Sequence, residues 1–203
     1  MLTLYHSPQS RSIRPRWLLE ELGVPHEVKV LSLQAGDQKK PEYMRLNPNG
    51  TVPTLVDGDM ALFESGAICQ YLADKYPDRK LAPPPGGTPE RAKYYQWIHY
   101  AMSGIEPPAV AIFQHTMMLP EAERRPEVVT ASRAQLAAAV KVVDDALAGR
   151  EWLLGSQFTA ADVMVGSTLA WAQMMGLVDE KTPNVAAYLG RCMARPAAQK
   201  AMA

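Results

Sequence analysis

Three serines lie close together near the start of the chain, Ser7, Ser10 and Ser12, interleaved with Arg11 in the stretch YHSPQSRSIRPR. Hydroxyl donors at the beginning of a helix favour an anion held beside them. Farther along, Glu64 and Ser65 are neighbours, an acceptor for an ammonium next to a hydroxyl and helix N–H groups for a carboxylate. The same pair is, more simply, the start of a helix. Between the two lies NPNGTVPTL, residues 47–55, which puts Pro53 inside what should be a strand. Proline cannot donate to a ladder and is confined to edges, strand starts and bulges, so Pro53 needs an explanation. In a later helix His99, Ser103 and Glu106 fall at i, i+4 and i+7, on one face. His6, His26, His99 and His115 occupy different elements without paired ligand spacing, and no metal site is expected. Cys69 and Cys192 are far apart with no Cys-x-x-Cys pair, and both read as buried thiols.

The elements that must position these residues follow from periodicity. Leu2 to Tyr5 alternates as a strand, and Ser12 to Leu22 carries Ile13, Trp17, Leu18 and Leu22 on one helical side until Gly23-Val24-Pro25 stops it. His26 to Val30 alternates again, and the intervening helix supplies the crossover for parallel pairing with the first strand. After a polar stretch around Gly36 to Pro41, which hosts the weakest helix, residues 54–56 and 60–62 flank Asp57-Gly58 as a hairpin. A helix follows with Ser65 as its expected N-cap and Ile68, Leu72 and Tyr76 along its seam. This first half, 1–80, is an α/β domain in the order βαβαββα. Residues 81–89, rich in proline and glycine, form a linker, and 90–203 is expected to be an all-α domain. There Thr88-Pro89 opens a long helix, kinked at Pro107-Pro108; Leu136, Val140, Val143 and Leu147 line another; and Phe158-Thr159 to Asp162-Val163 reads as a capping box with a hydrophobic staple.

Composition narrows the function classes. With 203 residues, 47% of them hydrophobic, the chain can bury a core, and 21 basic against 21 acidic residues leave no bulk field to draw it to nucleic acid or an anionic membrane. No apolar run is long enough to span a bilayer, and the first residues lack the pattern of a signal peptide, so a cytoplasmic location is expected.

With these residues in view, the chain resembles the soluble glutathione transferases over essentially its whole length. The resemblance is carried by YHSPQSRSIRPRWLLEELG, NPNGTVPTL, FESGAICQYLADKYP and GSQFTAADV, four motifs in order on compatible elements. It implies a thioredoxin-like N-terminal domain that binds glutathione, a helical C-terminal domain that helps bind the electrophile, and a homodimer acting in detoxification. The proline after Val52 is implied to be cis, which leaves the Val52 backbone free to bind glutathione as an added strand, with Thr51 and Pro53 beside it.

By the same resemblance, Glu64 and Ser65 meet the γ-glutamyl end. At the glycyl carboxylate, serine-type relatives have a His where this chain has Gln38, and Lys39 or Lys40 could supply the missing charge. Thiolate stabilisation falls to Ser10, the serine four residues before Arg14, with Arg11 and Ser12 as neighbouring donors; Arg11 stands where cysteine-type relatives have their Cys, and Ser12 can equally be a helix cap. Cysteine-type relatives have an Asn, a Ser and a His near glutathione where this chain has His99, Ser103 and Glu106, so His99 and Glu106 are substitutions; His99 and Ser103 are expected near glutathione and Glu106 at the electrophile. Tyr100, Met102, Phe113, Met117 and Met118 could line an apolar pocket for electrophiles. The reaction implied is attack of the glutathione thiolate on an apolar electrophile. A glutathione-dependent isomerase, dehalogenase or reductase, or a non-catalytic glutathione-binding module, would share the same features.

Overall fold

The structure is a computed structural model that describes residues 1–178 and 181–203. Its first strand, β1 (Leu2–His6), leads through the serine loop into α1 (Ile13–Leu22), which returns to β2 (His26–Val30). α1 is a helix because apolar side chains recur along one side; Trp17, Leu18, Leu19 and Leu22 are fully buried, and Gly23 closes the helix in the left-handed conformation at φ 62°. The weak second helix is short: a 3₁₀ turn at Asp37–Lys39 precedes α2 (Pro41–Met44). Then β3 (Thr54–Asp57) and β4 (Met60–Phe63) form a hairpin, and α3 (Ser65–Lys75) follows. The hairpin turn is Gly58-Asp59, one residue later than Asp57-Gly58, because Asp57 pairs with Met60 and Gly58 takes φ 61°.

The sheet order is β2-β1-β3-β4, with β1 and β2 parallel and the other two pairings antiparallel. Edge strand β2 is mostly exposed and carries Glu27 and Lys29, charges that discourage pairing with another chain. This order matches the thioredoxin-like arrangement expected from the sequence.

By contacts the chain divides into two units, Met1–Gly86 with Met193–Ala203, and Gly87–Cys192. The last residues, expected in the helical domain, join the first unit instead. Their helix α9 (Pro196–Met202) packs on α1, and Arg195 makes a bidentate ion pair with Glu21 at 2.6 and 2.7 Å. Nothing in local periodicity signals where a terminal helix docks.

In the second unit, α4 (Pro89–Tyr100) begins as expected, with Thr88 accepting from Arg91 N–H. The chain then slips into a π turn at Ala101–Ile105 before α5 (Glu106–Phe113), and a second π turn, Gln114–Met118, follows α5. The irregularity thus precedes Pro107-Pro108. Neither proline has an N–H to bond four residues back, and the register shifts so that Glu106 N–H reaches Ala101 C=O. α6 (Pro126–Leu147) buries Leu136, Val140, Val143 and Leu147, and α7 (Ala160–Met174) and α8 (Pro183–Met193) complete the unit. Both cysteines are buried.

The capping box at α7 forms as the sequence suggests. Asp162, fully buried, accepts from Leu153 N–H at 3.0 Å, Thr159 N–H at 2.8 Å, the Thr159 hydroxyl at 3.1 Å and Tyr188 Oη at 3.3 Å. Burial pushes its pKa up to about 6 from 3.8, against these donors. Asp162→Ala would strand two buried N–H groups and is expected to cost about 2–4 kcal/mol of stability in urea melts. Because the folded-state pKa stands above the unfolded one, this carboxyl's contribution is complete below pH 3.8 and declines as pH rises through about 6, a slope that Asp162→Asn should remove.

Candidate active site

Pairing in the sheet brings three chain exits to one end. Tyr5 pairs with Thr54, and Thr54 pairs with Phe63. The residues after β1, before β3 and after β4 therefore lie side by side, and these are the serine loop, the Thr51-Val52-Pro53 turn and the Glu64-Ser65 pair.

The central turn is cis at Val52-Pro53, as the resemblance implied. Pairing within the sheet starts only at Thr54, and among the described residues the Val52 backbone bonds to no other backbone group. Two side chains that sequence reasoning missed hold this turn. Tyr43, from α2, donates its hydroxyl to Thr51 C=O at 2.5 Å and meets Thr54 Oγ1 at 2.7 Å. Asn47 donates to Thr51 C=O at 2.9 Å and Thr54 Oγ1 at 3.2 Å, while its own oxygen accepts from Asn49 N–H. Both are buried, so the loop is braced from beneath. The motif NPNG contained the signal for Asn47, since asparagine bonds to the backbone two residues on in such turns; Tyr43 gave none.

At the next exit Glu64 adopts φ 73°, ψ 114°, a left-handed value unusual for a residue with a side chain. Such strain is common at ligand sites. Glu64 itself occupies the N-cap position and Ser65 is the first helical residue, so the helix starts one residue earlier than expected. Glu64 is exposed, whereas Ser65 is buried and its Oγ accepts from Arg14 Nη1 at 3.2 Å. Arg14, buried in α1, thus adds a positive charge at the start of α3.

The serine loop is a dense polar cluster. Ser12 does not cap α1: its side chain makes no cap bond and turns inward, where it meets His6 Nδ1 at 2.7 Å and Ser10 Oγ at 2.6 Å and accepts from Ser7 N–H at 3.0 Å. His6 and Ser12 are buried, Ser10 is half-buried and Arg11 exposed. Burial, followed by the charge of Arg16, holds His6 below its ordinary pKa despite an opposing interaction with the Ser12 backbone. The buried Cys69 thiol is pushed up to about 12, which keeps it protonated and inert as a nucleophile.

Of the lysines near Gln38, Lys39 Nζ donates to Asn49 C=O at 3.2 Å and lies against Gly50, beside the cis turn. Lys40 is instead paired with Asp37 at 2.7 Å. Gln38 donates to Leu33 C=O. The remaining candidates belong to the second unit. His99 is exposed, Ser103 is half occupied by a bond back to His99 C=O, and Glu106 is buried. Tyr100, Met102 and Phe113 are partly exposed, with Phe113 packed edge-on against Trp171.

Comparison with known proteins agrees with this geometry. Residues 1–74 match the glutathione S-transferase N-terminal domain, and residues 126–191 match the glutathione S-transferase C-terminal domain. Glutathione S-transferase 3 of Zea mays is 34% identical, over 100% of this chain and 93% of its own. The chain belongs to the glutathione S-transferase family. Glutathione S-transferase GstA of Escherichia coli O157:H7 is 32% identical over 99% of this chain and 97% of its own. A glutathione transferase structure from Methylococcus capsulatus superposes with a TM-score of 0.88 at 30% identity, covering 100% of this chain and 97% of that one. One from Phanerochaete chrysosporium, in complex with oxidized glutathione, does so with a TM-score of 0.88 at 30% identity, covering 98% and 94%.

Two substitutions separate bracing from binding. Asn47→Ala is expected to cost about 1–3 kcal/mol of stability, since it leaves buried groups around the turn unpaired. Glu64→Ala, on an exposed residue, should leave the melting temperature nearly unchanged yet weaken retention on immobilised glutathione at least ~tenfold, the scale of one charge-assisted bond.

Proposed function

We propose that this glutathione transferase binds glutathione as an extended peptide along the Val52 backbone, with its γ-glutamyl end at Glu64 and Ser65 and its sulfur at Ser10. The observation that carries this reading is the convergence of three chain exits at one end of the sheet, set by the Tyr5–Thr54 and Thr54–Phe63 pairings. A peptide laid beside Val52 gains main-chain hydrogen bonds that the ladder leaves open. Its ammonium meets Glu64. Its γ-glutamyl carboxylate meets Ser65 and the first N–H groups of α3, backed by buried Arg14.

For the glycyl carboxylate, Lys39 is better disposed than Lys40, because Lys40 is already held by Asp37 whereas Lys39 leans on the Asn49-Gly50 side of the turn. Gln38 contributes at most a neutral donor there.

Chemistry begins with the thiol. Free cysteine ionises at about 8.5, so the site must favour the anion to react near neutrality. Ser10 offers a hydroxyl at the N-terminal end of α1, half-exposed and held by its neighbours. Arg11 lies next to it as an exposed cation. The thiolate then attacks an apolar electrophile, for which Tyr100, Met102 and Phe113 of the second unit are the candidate lining. The family's homodimer and cytoplasmic setting are proposed for this chain as well.

Retention on immobilised glutathione followed by turnover of chlorodinitrobenzene tests the reading. Binding with turnover supports a transferase; binding without turnover of several electrophiles would favour a binding module. Ser10→Ala is expected to raise the apparent pKa of the bound thiol by about one unit or more, seen as an alkaline displacement of the pH–rate profile. An unchanged profile would move the thiolate contact to another residue.

A further inference from the structure

The hydrogen bonds around the serine loop constrain one another's direction. Arg16 Nη1 lies 3.2 Å from His6 Nε2. A guanidinium only donates, so Nε2 must accept, and the proton of the neutral imidazole sits on Nδ1. His6 Nδ1–H therefore donates to Ser12 Oγ at 2.7 Å.

Ser12 Oγ also accepts from Ser7 N–H at 3.0 Å, which uses both its lone pairs. Two acceptors lie within reach of the Ser12 hydroxyl hydrogen, Ser7 C=O at 3.1 Å and Ser10 Oγ at 2.6 Å. The shorter contact needs a hydrogen, and with the lone pairs of Ser12 filled it comes from Ser12. Ser10 Oγ in turn accepts from Ser12 O–H and, at 3.2 Å, from Ser12 N–H. Its own proton is left to donate, and in the free protein it goes to Ser7 C=O at 2.7 Å.

We infer that His6 and Arg16 are positioning residues of a one-way donor relay, Arg16 to His6 to Ser12 to Ser10, which orients and polarises the Ser10 hydroxyl toward a glutathione thiolate. This deepens the proposed role of Ser10 and rests on it. No proton is transferred along the relay. Each donor strengthens the next, and the chain ends on the one half-exposed hydroxyl of the four groups, whose hydrogen needs only a rotation to leave Ser7 C=O for an anion. Arg16 adds its charge behind the relay, where His6 and Ser12 are shielded from water.

Among the described residues, Arg16 is the charged group that bonds to His6. The other charged side chains where α1 meets α9 pair with each other, Lys200 with Glu20 and Arg195 with Glu21. Arg16 is anchored by a second bond, from Nη2 to Lys200 C=O at 3.2 Å.

The test compares His6→Phe, His6→Asn and Arg16→Met with the wild-type chain, each checked for folding by circular dichroism. The readouts are the pKa of bound glutathione from ultraviolet thiolate absorbance and the pH profile of chlorodinitrobenzene turnover. His6→Phe keeps the ring shape and removes both nitrogens. It should raise the bound-thiol pKa by about one unit, a ~tenfold loss of thiolate on the acid side, with the KM for glutathione within about twofold of wild type. His6→Asn, whose amide can stand in for Nδ1–H, should restore most of that loss. In wild type, nitrogen NMR of the His6 ring should show the proton on Nδ1, and Arg16→Met should move it in part to Nε2.

A folded His6→Phe with an unchanged thiol pKa, or a wild-type ring protonated on Nε2, overturns the relay. If His6→Phe does not fold, Arg16→Met and the wild-type ring spectrum decide between the same outcomes. Should Ser10→Ala itself leave the thiol pKa unchanged, the Ser10 reading fails; should Ser10→Ala shift it while His6→Phe and Arg16→Met do not, the relay alone fails.

Discussion

A central strand can offer its backbone to a peptide only where its own ladder stops, and in this chain the ladder of β3 stops at Thr54. Everything proposed for the site depends on that stop. Because β3 is central, pairing with β1 on one side and β4 on the other, the point where it begins is also where β1 ends and β4 ends. One register thus gathers a serine loop, an open backbone and an acid-hydroxyl pair, which local sequence alone would leave scattered across about sixty residues. The open turn cannot be left loose, and Tyr43 and Asn47 supply the hydrogen bonds that a continued strand would have made.

Buried polar groups define the site more than apolar packing does. His6, Ser12, Arg14, Asn47 and Ser65 are all largely out of water, and each is engaged with a named partner. A buried polar network is costly if any member is left unpaired and rigid if all are paired. The strained Glu64 fits the same pattern: the backbone is held in a conformation that a side chain disfavours, at the junction between β4 and α3. Asp162 plays a corresponding part in the second unit, where one carboxyl collects donors from the preceding loop, its own helix start and Tyr188 of α8. That cluster braces a fold, whereas the one around His6 faces a half-exposed hydroxyl.

Much of the architecture was legible in the amino-acid order. Period-two and helical spacing located the strands and most helices, Thr88-Pro89 and Thr159 to Asp162 marked helix starts, and the motif set identified the family before any coordinates. Boundaries that depend on a single hydrogen bond were less accessible. The hairpin turn falls one residue beyond its sequence signal, α3 starts one residue before its own, and the helix irregularity comes before the two prolines rather than at them. Ser12 looked like a cap because serine at a helix start usually is one; a buried histidine nearby offers its hydroxyl a stronger partner than its own helix does.

By itself, then, the sequence determined what is local: periodicity, turn chemistry, the proline that interrupts a strand, and the pairing of Glu64 with Ser65. Tertiary structure decided what is not. It put Arg14 against Ser65, fifty-one positions away, docked α9 onto α1, gave Lys39 rather than Lys40 to the turn, and lined up the contacts from Arg16 through His6 and Ser12 to Ser10. The reason is that a side chain's partner is set by which backbones the sheet and helices bring together, and a hydrogen bond's direction by how many lone pairs its neighbours have already filled.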